Sequence, residues 1–385
     1  GPPRSTPKPS SAASDVYKRQ SWYRVRDESH LMTPALLVYP NRVKKNIESM
    51  IEISGDVNRL IPHVKTYKMS AIVNLQMGYG IKEFKCATLG ELKMLISCKV
   101  NHILLAMQPT RQKMIRFLDA QKQNPDITFS TLFDNNESLK LFLDLAESQN
   151  QKINLWLDIN NGMNRTGIIP EIALELYMKA FKLHKINVLG IHVYDGHTRI
   201  HDLEKRIDKC NNDFEPVKML IDQIRNQGGE VPDQIRGGSP TFYPHSLSKS
   251  CRLSPGTTLL WDLGYKKIWN ESPFVHAAIL ALRLISKPSS NILCFDLGHK
   301  AVASEIPLPR IEIIGLEGAL HKGQSEEHLI VEHKNANNYN IGDLFYAIPY
   351  HICPTVAKYS KAYTVNKGDL GPFWEIEARD YQQVE

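Results

Sequence analysis

Between residues 34 and 237 the chain alternates short, almost continuously apolar runs with segments whose apolar positions recur at helical spacing. The runs at 35–39, 60–66, 84–88, 102–107, 127–133, 153–159, 188–194 and 234–237 predict strands. The stretches between them, from 42–53 through 201–226, predict amphipathic helices. Strands with so few polar interruptions belong to parallel sheets covered on both faces. Eight strand–helix units in succession predict an α/β protein built on a (β/α)8 TIM-like barrel, with an open doubly wound sheet as the alternative.

Past residue 251 the pattern changes. Strand-like runs at 257–260, 274–282, 291–296, 310–316, 328–331, 343–347 and 361–365 are separated by Gly, Pro, Asn and Asp turns, with little helical periodicity. This predicts a second, mostly antiparallel β domain, joined by the segment 22–26. The expected organisation is a barrel over 33–250 and a β domain formed from 21–32 plus 251–385. Residues 1–20, rich in Pro, Ser and Lys and without periodicity, are set aside as a disordered or non-native tail.

Composition narrows the function without naming it. A chain of 385 residues can bury two substantial cores. Its net charge is +6, but Arg4, Lys8, Lys18 and Arg19 against Asp15 place half of that in the first twenty residues. No dense Lys/Arg block remains, which argues against a nucleic-acid partner. No apolar run approaches the ~20 residues of a membrane span. The six cysteines lack Cys-x-x-Cys spacing, so they read as reduced thiols in a cytoplasmic protein. Five of them are assigned to packing.

Several short motifs carry candidate chemistry. In Pro62-His63-Val64-Lys65-Thr66-Tyr67-Lys68, Lys65 stands at a strand mouth among mostly uncharged neighbours. A partly desolvated ammonium loses charge stabilisation, and its amine becomes nucleophilic. Gly237-Gly238-Ser239-Pro240-Thr241 follows the last predicted barrel strand. Its glycines let backbone N–H groups approach an anion, and barrels bind phosphate in such loops. Arg165, in Gly162-Met163-Asn164-Arg165-Thr166-Gly167, can anchor an oxyanion at the barrel mouth. Tyr194, His197 and His201 cluster after the seventh predicted strand, where an aromatic and a histidine suit ring contact and proton transfer. In His351-Ile352-Cys353, an extended backbone would point imidazole and thiolate the same way, a pair suited to zinc with positions left open. Taken singly, each motif also reads as an ordinary structural element.

As an ordered set from about Thr33 to Arg379, these motifs resemble the fold-type III pyridoxal-phosphate enzymes, and within them the D-threonine aldolase and D-serine dehydratase family. Thr33-Pro34-Ala35-Leu36-Leu37-Val38, Cys86-Ala87-Thr88-Leu89-Gly90-Glu91 and Ser325-Glu326-Glu327-His328 add to the resemblance. It implies that Lys65 holds the cofactor covalently and that Gly237, Gly238 and Ser239 cradle its phosphate. It places Arg165, Tyr194 and Gln108 near the ring, and a divalent metal (zinc, or manganese or magnesium) on His351 and Cys353. It implies a lyase acting on D-configured β-hydroxy-α-amino acids, most simply by retro-aldol cleavage of D-threonine-type substrates to glycine and an aldehyde, with His197 or His201 as base. The alternative is a D-serine dehydratase releasing pyruvate and ammonia, with Lys65 as base. Cys353 resembles the second metal ligand of the dehydratases, where aldolases of the group often have a carboxylate. A non-catalytic pyridoxal-phosphate carrier lacks the β domain, and a racemase does not need the metal pair. A homodimer is the family expectation.

Overall fold

The computed structural model describes residues 21–381, so the assignment of a tail at 1–20 lies outside the described residues. The chain divides into two compact units, each assembled from discontinuous stretches. One draws on residues through Asn41, then Ala277–Tyr350 and Lys361–Trp374. The other draws on Arg42–His276, His351–Ser360 and the residues from Glu375 onward.

In the first unit, strand β1 (Ala35–Val38) lies between β9 (Ala278–Ser289), antiparallel, and β15 (Lys361–Asn366), parallel. The predicted first barrel strand is therefore a strand of the other sheet. A short run buried on both faces looks the same in either setting, so its pattern does not name its partner. β9 also pairs antiparallel with β10 (Ile292–Phe295) and β14 (Leu344–Pro349). Val25, Leu31, Leu37, Tyr39, Ile279, Tyr346 and Val365 share one apolar cluster, which draws the segment after residue 21 into this unit.

The second unit holds a parallel sheet in sequence order: β2 (Glu83–Cys86), β3 (His102–Leu105), β4 (Thr128–Phe133), β5 (Ile153–Ile159), β6 (Ile186–Val193), β7 (Asp233–Arg236) and β8 (Arg252–Leu253). The eighth stave is the extended segment 60–63. Leu60 bridges Leu253 and His63 bridges Lys85, both in parallel. Ile61 N donates to Leu253 O and Lys85 N to Pro62 O, each at 2.9 Å, so this segment joins both edges of the sheet into a closed barrel. The (β/α)8 class stands, but the staves are counted one element later than the sequence predicts. The two-residue β8 is too short to show a pattern and was expected to belong to the β domain. Thr257–Leu259, read as strand, is a 3-10 turn of the barrel unit.

Local chemistry sets the helices between staves. Thr88 caps Leu89–Ser97 and Asn135 caps Asn136–Ser148 through their side-chain oxygens, and Pro170 opens Pro170–Phe181. Inside the barrel Ile61, Leu104, Leu132, Trp156 and Ile235 pack together, so the interior is filled and leaves chemistry to its ends. No described helix is long and apolar enough to cross a membrane.

Candidate active site

Lys65 does not sit in a strand. The chain turns at the end of the closing stave into a 3-10 helix, Val64–Thr66, whose N-cap His63 accepts the Lys65 N–H on Nδ1 at 3.2 Å. Burial pushes the His63 imidazole well below its usual range, and the neighbouring lysines push the same way, so the ring is a neutral acceptor. Lys65 Nζ lies 5.5 Å from the centroid of the Tyr194 ring. Two further cations face that ring, Arg165 at 4.8 Å and Lys85 at 5.6 Å. Lys68, the other lysine of the motif, is buried and ion-paired with Glu91, which makes it a structural tie.

The Gly237–Ser239 loop follows stave β7, where the sequence reading placed it after the last stave. Gly237 adopts φ +71°, a left-handed conformation suited to glycine. Gly238 is extended but close-packed: a Cβ there would stand 2.6 Å from Tyr194 Cε2. Ser239 Oγ accepts the N–H groups of Gly256 at 3.2 Å and Thr257 at 3.0 Å. The loop after β8 thus joins the same cradle, a contribution hidden in the sequence because β8 itself was hidden. Thr241 Oγ donates to Asp195, which also bonds His245 Nε2 at 2.6 Å.

His351 and Cys353 meet by a different route from the one predicted. His351 is the extended N-cap, and Cys353 lies in the first turn of the short helix Ile352–Val356. Both belong to the barrel unit rather than the β unit. Cys353 Sγ is 3.2 Å from Thr66 Oγ1 and 3.3 Å from Thr257 Oγ1. Burial raises the thiol, but hydrogen bonding and charge from His351 outweigh it and hold the thiol below its ordinary value. Asp262 braces the segment by accepting the Ile352 N–H at 3.0 Å.

Near Tyr194 runs a polar chain of which the sequence reading named only Gln108. Lys85 Nζ is 3.0 Å from His192 Nε2, and His192 Nδ1 is 2.7 Å from Asp158 Oδ1. Asp158 Oδ2 accepts from Gln108 Nε2 at 2.8 Å and Thr166 Oγ1 at 2.9 Å. Gln108 Nε2 also donates to Asp134 Oδ2 at 2.9 Å. The signal was a charged or polar residue within otherwise apolar strands, in Phe84-Lys85-Cys86 and Ile191-His192-Val193.

Of the two candidate histidine bases, His201 is exposed and its Nδ1 bonds the Lys267 carbonyl at 2.7 Å. His197 is half-buried. Its Nε2 is 4.0 Å from Asp213 Oδ2, and its buried Nδ1 has no hydrogen-bond partner. Among the described residues, Asp195, Cys210 and His245 could also converge on a cation. Burial holds the Cys210 thiol up, however, and Asp195 is engaged by His245 and Thr241, so this group serves as a strut under the glycine loop.

A lysine on a barrel-mouth turn, a glycine loop beside it and three basic side chains around one aromatic ring thus gather at one end of the barrel. Residues 38–261 match the family profile described as alanine racemase, N-terminal domain, and the chain belongs to that family. Residues 277–365 match a putative serine dehydratase domain. The chain is 22% identical to a D-threonine aldolase of Arthrobacter sp., over 84% of this chain and 86% of that protein. It is 26% identical to a D-serine dehydratase of Dictyostelium discoideum, over 88% of this chain and 95% of that protein. The solved D-threonine aldolase of Filomicrobium marinum has the same fold, with TM-score 0.82 and 21% identity over 90% of this chain and 96% of that one. With aldolases and dehydratases as its relatives, the chain is a pyridoxal-phosphate-dependent lyase.

Proposed function

We propose that the protein is a pyridoxal-phosphate- and divalent-metal-dependent lyase of D-configured β-hydroxy-α-amino acids, and that its reaction is β-elimination to a 2-oxo acid and ammonia. The observation that carries this reading is the convergence at Thr66 and Thr257. Thr66, next to Lys65, touches the Cys353 thiol, and Thr257 joins that thiol to the Ser239 loop. Amine, anion cradle and metal-type donors are thus held by one set of contacts.

The residues fit both groups. The backbone at Gly238 leaves no room for a side chain, as an anion cradle requires, and three cations face the ring of Tyr194. A thiol lowered by an adjacent imidazole is a soft donor pair suited to zinc. Lys65, Gly237, Gly238 and Ser239 would hold pyridoxal phosphate, which when bound supplies an electron sink for charge developing at the substrate Cα. His351 and Cys353 would hold the cation, which supplies Lewis acidity towards the β-hydroxyl.

The protein's own groups then divide the work. Lys65 Nζ takes the Cα proton, and Tyr194 packs against the site and limits water. Arg165 and Lys85 keep the surroundings cationic for anionic groups. Elimination ranks ahead of the retro-aldol route because it asks only Lys65 for a base, and the second metal-type donor is a thiol. The retro-aldol reading has one observation in its favour, the unpartnered buried Nδ1 of His197, which would take the β-hydroxyl proton.

The test uses the purified full chain with pyridoxal phosphate and either D-serine or D-threonine, with and without a chelator. Pyruvate or 2-oxobutyrate with ammonia, lost on chelation, is the expected result. Glycine with acetaldehyde from D-threonine would assign the retro-aldol branch. Neither reaction, together with undiminished cofactor absorbance in Lys65→Ala, would refute the reading.

A further inference from the structure

Lys85 is 3% exposed and faces the same tyrosine ring as Lys65, at nearly the same distance. A buried lysine with no nearby acceptor would be costly, and this one is answered by a chain of two groups, His192 and then Asp158. The proton positions follow from the chemistry. Burial alone would raise the Asp158 carboxyl, but His192, Thr166 and Gln108 outweigh it and hold the group ionised. Asp158 therefore accepts, so His192 Nδ1 carries a hydrogen. Burial, with the charge of Lys85, keeps that imidazole neutral, so Nε2 is a lone pair aimed at Lys85 Nζ. The three groups together are neutral: one ammonium, one imidazole, one carboxylate.

We propose that Lys85, His192 and Asp158 form a movable charge for the active site, with Lys85 as a positioning residue that sets the charge beside Lys65. This rests on the assignment of Lys65 as the cofactor lysine. The step is a proton transfer within the group. An N–H bond breaks at Lys85 Nζ and one forms at His192 Nε2, leaving a neutral amine near Tyr194 and an imidazolium held by Asp158. Positive charge withdraws from the ring by about one hydrogen-bond length, and no proton is exchanged with solvent.

The groups facing Lys85 make this transfer feasible. Burial first, then Lys65 and Arg165, push its ammonium down, while Asp158 and Asp195 oppose them, and the balance leaves it at about 7. His63 and His192, held neutral, and the ring of Tyr194 complete its surroundings. Burial is the main influence that keeps His192 neutral, but when Lys85 loses its proton the opposing charge of Lys85 is removed, and Asp158, bonded to Nδ1, favours the imidazolium that forms.

The experiment titrates the full chain, loaded with pyridoxal phosphate, from about pH 5 to about pH 9 and follows the visible absorbance of the bound cofactor. In parallel, each lysine is labelled with acetic anhydride across the same range and read by mass spectrometry. Lys85→Met should raise the absorbance midpoint by on the order of one unit, because a nearby cation no longer opposes protonation at the Lys65 site. Lys85→Arg, which keeps the charge but cannot give up its proton, should lower the midpoint. In the parent, Lys85 should label with a midpoint well below the surface lysines, and Asp158→Asn should lower that midpoint further. Parent-like titration in both Lys85 variants, or a surface-like labelling midpoint for Lys85, overturns the proposal. Parent protein with no cofactor absorbance would instead overturn the Lys65 assignment. The labelling midpoint tests Lys85 in either case, including when a variant fails to fold.

Discussion

Gly238→Ala tests the site through a single methyl group. The backbone at Gly238 has φ −144° and ψ −162°, extended geometry open to alanine, so the substitution adds no backbone strain. Its effect must come from contact. The new Cβ would stand 2.6 Å from Tyr194 Cε2, 3.4 Å from Cδ2 and 3.6 Å from Cζ. Carbon atoms rest about 3.5–4.0 Å apart, so the ring edge must withdraw by roughly 1 Å. Lys65, Lys85 and Arg165 all face that ring, so the shift disturbs the whole cation cluster. A misplacement of about 1 Å costs on the order of 10²-fold in rate, or roughly 2.7 kcal/mol of barrier. The assay is kcat/KM for keto-acid release from D-serine, with cofactor stoichiometry and thermal melting measured on the same preparation. Gly78→Ala is the control, because a Cβ there meets nothing within 4 Å. The control should match the parent. Parent-like kcat/KM, within about threefold, in a folded Gly238→Ala protein would refute the placement of Tyr194 at the reacting centre.

Other expectations follow from single features. Cys353→Ala should lose most of its bound divalent metal on dialysis while keeping the cofactor, as elemental analysis and visible absorbance would show; retention of parent-level metal would count against the His351/Cys353 pair. Gly190→Ala places a Cβ 1.9 Å from the Asp233 carbonyl at φ +145° and should destabilise the barrel by on the order of 3 kcal/mol or more, read as a fall in the urea midpoint. Burial raises the Glu83 carboxyl, but His102 and Arg252 outweigh it and take it down to about 2. Its stabilisation is therefore present above about pH 4.5 and lost as pH falls towards about 2. Glu83→Gln should flatten that acid limb of the denaturation profile, and an unchanged limb would show that the pairing adds nothing.

Local chemistry was readable in the sequence and long-range pairing was not. Lys65, Gly237 and Gly238 announce themselves because a turn, a glycine pair or a lysine at a strand end has a meaning within a few residues. The identity of the closing stave depends on a hydrogen-bond ladder to β8, a strand of two residues with no periodicity to detect. Strand β1 misled for the converse reason, since its four buried residues would suit either sheet. Lys85 reads as one charged residue among many until the fold brings His192 to it from 107 residues away. The sequence spacing placed His351 and Cys353 on one extended segment, whereas the structure puts them at a helix start, which can bring two side chains together as an extended strand can.

The closing stave also dictates when the protein becomes able to work. Arg59, at its entrance, donates to the carbonyl of Cys251, 192 residues further along the chain. During synthesis the segment carrying Lys65 therefore leaves the ribosome long before its neighbour β8 exists. The segment's β2 edge can pair as soon as residue 85 is made, but its other edge stays open until the seventh further stave, β8, is complete. A chain interrupted anywhere before residue 253 has the lysine but only one of the two edges that hold its segment. Closure of the barrel around Lys65 is in that sense a proof of completed assembly, available only to a chain whose beginning has found its end.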